Sequence, residues 1–178
     1  MIESSTPPLA ALDGYRNVTD LLVRREATAP DHVAFEVDRD GGWQPVTTRE
    51  FANEVRALAK GFIARGIRTG DPIAIMAPTR YEWAVADLAA WFAGAVVVPI
   101  YETSSPSQVN AIVADAGVRL AIGGSPAHAE LLQAALVQSD APTLGAWTMD
   151  ADTPHDNDPG AAASGTLDDL VALGSDVA

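Results

Sequence analysis

The stretch Gly70-Asp-Pro-Ile-Ala-Ile-Met-Ala-Pro-Thr-Arg-Tyr-Glu-Trp-Ala-Val-Ala-Asp-Leu-Ala-Ala-Trp-Phe-Ala-Gly-Ala-Val-Val-Val-Pro-Ile-Tyr-Glu-Thr-Ser-Ser105 decides the fold. Gly70-Asp71-Pro72 is a turn, and Ile73–Met76 is an apolar run of buried-strand length. Thr79 and Glu82 have the spacing of a capping box, which opens a helix to about Ala93; Gly94 closes it. Val96–Pro99 is the next strand. Strand, helix and strand joined by short loops form a right-handed crossover between parallel strands.

The pattern continues on both sides. Downstream, Ser105 precedes a helix over 106–116 with Gln108 at the box position. Leu120–Ile122 reads as a strand, 126–137 as a helix and Leu144–Thr148 as a strand. Upstream, Thr47 and Glu50 box the start of a helix with Phe51, Val55, Leu58, Ala59, Phe62 and Ile63 at helical spacing, ended by Gly66. Val33–Val37 and Trp43–Val46 flank Asp38-Arg-Asp-Gly-Gly42, a hairpin with a loop longer than two residues. Asn17–Ala27 reads as a short amphipathic helix, capped by Asn17 or Thr19 and stopped by Pro30. The fold class is therefore α/β: a parallel βαβ sheet with flanking helices, preceded by a small β-hairpin. Residues 1–16 read as an N-terminal arm, 17–149 as the domain, and 150–178 as an acidic linker with two helical turns at Leu167–Leu173.

Composition narrows the function. Of 178 residues, 48% are hydrophobic, enough for a real core. The 11 basic and 24 acidic residues give a net charge of −13, which argues against nucleic acid as a partner. Acidity is concentrated late: the last 59 residues hold nine acids and no base. Without cysteine there is no disulfide, thiolate nucleophile or Cys-ligated zinc. The N-terminus lacks the pattern of a secretory signal, and no apolar run is long enough to span a membrane. The expected location is the cytoplasm.

Parallel sheets bind ligands at the carboxyl ends of their strands. The loops to search are 77–81, 100–105 and 123–126. None carries a dinucleotide or P-loop fingerprint, and the one lysine, Lys60, lies inside a helix. Gly123-Gly-Ser125 reads as a tight loop, or as amides offered to an anion. In Thr103-Ser-Ser105 the hydroxyls suit a helix cap better than a phosphate site. His32, His128 and His155 share no ligand spacing, and the acids of 150–158 do not match an EF-hand, so no metal is expected. Tyr81, Trp83, Trp91 and Phe92 lie on or beside one helix, as core or as a hydrophobic ligand surface.

One resemblance emerges from these segments taken in order. Trp43–Glu50, Leu58–Phe62, Arg65–Ile75, Thr79–Trp83 and Gly94–Ser105 together resemble the N-terminal part of the adenylate-forming (AMP-binding) superfamily. Within it they are most similar to bacterial long-chain acyl-CoA synthetases. Arg80–Trp83 followed 11 residues after Trp83 by Gly94–Ser105 is the specific pair; Arg65 departs from the family's usual leucine. The resemblance covers about residues 17–135. It implies the first subdomain of the ligase N-terminal domain and an ATP-dependent coupling of a fatty acid to coenzyme A. The family's cofactors are ATP, Mg²⁺ and coenzyme A, but none is expected on this chain. The phosphate loop, adenine site and catalytic lysine of that family are absent from residues 1–178. Tyr101, Glu102, Thr103 and Ser104 are the substrate-proximal candidates. Gly70, Asp71, Tyr81, Glu82, Trp83, Gly94 and Pro99 match family positions with structural roles. No residue is given a catalytic role, and Lys60 matches no catalytic lysine. The expected partner is the remainder of such a ligase, or a second copy through a bare sheet edge. The competing readings are a stand-alone module that binds an acyl chain or a partner protein, and an unrelated flavodoxin-like nucleotide binder.

Overall fold

The computed structural model describes residues 14, 16–39, 41–150 and 164–177. Most of the arm (1–16), the acids of 151–160 and His155 lie outside the described residues. In chain order the elements are α1 (Thr19–Thr28), β1 (Val33–Arg39), β2 (Gly42–Thr47), α2 (Thr48–Arg65), β3 (Pro72–Met76), α3 (Tyr81–Phe92) and β4 (Val96–Ile100). They continue as α4 (Pro106–Ala116), β5 (Leu120–Gly123), α5 (Pro126–Gln138), β6 (Ala146–Thr148), β7 (Gly165–Thr166) and α6 (Leu167–Leu173).

β1 and β2 form an antiparallel hairpin, and the other strands form a five-stranded parallel sheet in the order β4-β3-β5-β6-β7. Alternate residues of a strand face opposite sides. Ile73 and Ile75 join the core under α2, α3 and α6, whereas Ala74 and Met76 join the core under α4 and α5. The sheet is thus covered on both faces, as parallel sheets require.

Two of the expected helix boxes form. Thr47 caps α2 with Glu50 returning to its backbone, and Ser105 caps α4 with Gln108 doing the same. The third, at Thr79–Glu82, does not: Arg80 is the N-cap of α3, makes no side-chain cap, and holds Glu82 in an ion pair at 2.6 Å. For α1 the formal cap is Val18, yet Asn17 Oδ1 accepts the Asp20 amide at 3.1 Å. The hairpin is also tighter than expected. Arg39 pairs with Gly42, leaving only residues 40–41 to connect the strands, and Gly41 takes φ +78°.

The segment read as linker contributes to the fold. β7 pairs with β6, and α6 lies on α2 with Leu170 fully buried. The contact is close enough to require glycine: a Cβ on Gly61 would stand 2.2 Å from the Leu170 carbonyl oxygen. Lys60 Nζ donates to the Val177 carbonyl at 2.7 Å, so the single lysine secures the end of this segment.

Candidate functional site

β3 leads through α3 to β4 on one side, and β5 leads through α5 to β6 on the other. Between β3 and β5 the winding reverses, and the crevice at their carboxyl ends is where open α/β sheets take ligands. In this chain that crevice is braced shut. The Gly124 amide donates to the Met76 carbonyl at 2.9 Å, and a Cβ on Gly124 would lie 2.6 Å from that of Ala77. The Gly123–Ser125 loop therefore spends its close approaches on packing, and the Ser125 hydroxyl caps α5 by accepting the His128 amide.

Arg80 spans the same crevice. Its Nε donates to Glu82 at 2.6 Å, and its Nη1 donates to Asp150 at 2.8 Å and to the Gly124 carbonyl at 3.3 Å. One guanidinium thus ties the loops after β3, β5 and β6. The Glu82 bond, with help from Asp150 and against partial burial, raises its already high pKa. Sequence reasoning missed this residue. A signal was available in the sequence: Arg80 is the only Lys or Arg in the segments that follow the parallel strands.

One open space lies one strand over, and a second, of about 400 Å³, is lined by Tyr81, Glu82, Met149 and Thr166–Asp168. The loops after β3 and β4 enclose a groove of about 460 Å³ lined by Ala77, Pro78, Thr79, Trp83 and Pro99–Thr103. Tyr101 is 86% exposed at its rim. The Ser104 amide donates to the Tyr101 carbonyl at 2.9 Å and closes the turn. Tyr101, Glu102 and Thr103 therefore line the groove, whereas Ser104 shapes the loop through its backbone. The lining is mostly apolar, and Glu102 is its one charged side chain.

The remaining motif residues divide between two places. Gly70 (φ +89°), Asp71 and Gly94 (φ +75°) lie at the amino end of the sheet, far from the groove. The Gly70 amide donates to the Gly94 carbonyl at 2.8 Å, and Asp71 accepts from the Arg68 amide at 2.8 Å and from Arg119 at 3.2 Å. They tie the starts of β3, β4 and β5. Tyr81, Glu82 and Trp83 form the first turn of α3. The Tyr81 hydroxyl donates to Glu54 at 2.7 Å, and its ring packs on Phe35 and Phe51. Burial, and then the Glu54 bond, push the phenol well above its ordinary range. Pro99 sits in edge strand β4, where a missing amide is tolerated. Among the described residues, no helix is long and apolar enough to cross a membrane.

With this geometry in place, comparison with known proteins is decisive. The model of the AMP-binding enzyme family matches residues 22–173. The chain belongs to that family. The long-chain-fatty-acid–CoA ligase FadD15 of Mycobacterium bovis is 39% identical over 132 residues, which cover 74% of this chain and 22% of the ligase. FadD15 of Mycobacterium tuberculosis is 38% identical over 132 residues, with the same coverage. The match thus spans about a fifth of the length of these curated relatives. Among solved structures, the anthranilate–CoA ligase AuaEII, crystallised with anthranoyl-AMP, superposes with a TM-score of 0.70 over 89% of this chain and 27% of its own. At 17% identity that likeness speaks for the fold alone.

Proposed function

We propose that this chain works as the first parallel subdomain of an ATP-dependent long-chain fatty acid–CoA ligase. The observation that carries the reading is the 39% identity to a curated ligase of that activity over 132 residues, 74% of this chain. In such a ligase the fatty acid and ATP give an acyl-adenylate and pyrophosphate, and the thiol of coenzyme A then displaces AMP. Both steps gather negative charge and call for Mg²⁺ and cations at the reacting phosphates. The loops after the parallel strands here offer one base, Arg80, which is already engaged by two carboxylates. The charge-handling groups therefore belong to residues other than 1–178, and this chain alone forms no acyl-adenylate. Its partner is the remainder of the ligase, in the cytoplasm.

Within that assembly Tyr101, Glu102 and Thr103 stand nearest the substrate, because the groove they line opens at the carboxyl ends of β3 and β4. Hydroxylamine trapping tests the reading. The purified chain, given ATP, Mg²⁺ and a long-chain fatty acid, should yield no acyl-hydroxamate above a protein-free control. Hydroxamate formation by this chain would overturn the assignment of the chemistry to other residues.

A further inference from the structure

The two open spaces differ in chemistry. The one beside Tyr81 is lined by Arg39, Glu54, Glu82 and Asp168, ionisable side chains of both signs. The one after β3 and β4 has Ala77, Pro78, Trp83, Pro99 and Ile100 in its lining, with Glu102 as its one charged residue. Glu102 is exposed, and among the described residues it has no ion-pair partner. The one base in the neighbouring loops, Arg80, is held by Glu82 and Asp150. Among the described residues, then, no base offsets the negative charge of this groove.

A reacting carboxylate or phosphate is stabilised by cations around it, and the lining of this groove supplies none. An apolar groove with a lone acid suits an uncharged hydrocarbon chain instead, because each methylene removed from water there is favourable. A carboxylate at the far end of that chain would lose water and meet Glu102 with no base between them. We infer that this groove receives the methyl end of the acyl substrate and that Glu102 sets specificity there, admitting monocarboxylic acids and rejecting those with a second, distal carboxylate. The inference rests on the reading of the chain as a subdomain of a fatty acid–CoA ligase. The place suits a ligand: the groove opens at the carboxyl ends of adjacent parallel strands. Its volume of about 460 Å³ falls within the range of ligand pockets, roughly 300–1,000 Å³.

The test uses a chimera in which residues 22–150 of this chain replace the matching segment of Mycobacterium tuberculosis FadD15. Hexadecanoic acid carrying a photoreactive diazirine at its methyl end should label residues 99–103. Hexadecanedioic acid should be the poorer substrate. Glu102→Gln should raise its kcat/KM relative to hexadecanoic acid roughly fivefold, the worth of one like-charge contact at about 4 Å in water. Glu102→Lys should raise that ratio further. Labelling confined to residues outside 77–103, as when the remainder of the ligase fills the groove, would overturn the inference. So would an unchanged ratio in both variants, or an equal loss for the two acids, which would show Glu102 paired with a base of the remainder. If the chimera makes no acyl-CoA, competition of the two acids for the photolabel supplies the same ratio. That failure would then count against the ligase reading alone.

Discussion

Gly61→Ala sets two effects of known sign against each other. Gly61 lies deep within α2, where alanine is favoured over glycine by about 0.8–1 kcal/mol. Helix propensity alone therefore predicts stabilisation. The structure predicts the reverse. The new Cβ would stand 2.2 Å from the Leu170 carbonyl oxygen and 2.6 Å from its carbon. Both are backbone atoms, so the contact is relieved only by moving α6 off α2 by more than an ångström. That movement loosens Leu170, whose full burial is worth roughly 1.5–3 kcal/mol, and strains the Lys60 bond to Val177. Set against the propensity gain, the net result is a loss of about 1–2 kcal/mol. Urea unfolding gives the sign, and hydrogen exchange at 165–173 locates the effect. Leu170→Ala, a loss of roughly 2–5 kcal/mol, should combine with Gly61→Ala less than additively, because both release one contact. Gly61→Ala more stable than the parent by the propensity increment would refute the packing of α6 described here.

Other expectations follow from the same geometry. Arg80→Gln removes ion pairs that are about one-third exposed; it should cost no more than about 1 kcal/mol and raise exchange at Gly124 and Asp150. Gly94→Ala should cost about 1–2 kcal/mol in urea unfolding, because φ is +75° and the Thr69 hydroxyl would lie 3.0 Å from the new Cβ. The Tyr81 phenol is raised in the folded chain, so its contribution is present below its unfolded pKa of about 10 and is lost as pH rises beyond that value. Stability measured above pH ~10 should fall in the parent and fall less in Tyr81→Phe, which at neutral pH costs about 1 kcal/mol for the lost bond to Glu54.

Local signals carried most of the fold. The boxes at Thr47 and Ser105 were legible because donor, acceptor and helix start lie within four residues. The box expected at Thr79 failed because its acid was claimed by Arg80, whose other partner, Asp150, is 70 residues away. No local pattern reveals that competition. The hairpin loop was overestimated because Asp-Arg-Asp-Gly-Gly resembles a run of turn formers, although Arg39 and Gly42 pair across it. Residues 164–177 looked like the tail of an acidic linker. What returns them to the core is a glycine in α2, and a glycine inside a helix does not announce which neighbour needs the room. The loop Tyr101–Thr103 was a candidate from the sequence because it follows a parallel strand, and such sheets take ligands at their carboxyl ends; that it lines a groove is seen only in the structure. The bracing of the crevice beside it was not, because it depends on which loops one guanidinium reaches.

The central claim is tested most directly by exchange. Residues 22–150 of this chain, replacing the matching segment of Mycobacterium tuberculosis FadD15, place the hairpin and the strands β3–β6 in a complete ligase. The chimera should form acyl-CoA from a long-chain fatty acid, ATP and coenzyme A. Tyr101→Ala within it should raise the KM for the fatty acid more than it lowers kcat. A chimera that is folded by circular dichroism and sedimentation yet makes no acyl-CoA would contradict the assignment of this chain as a working ligase subdomain.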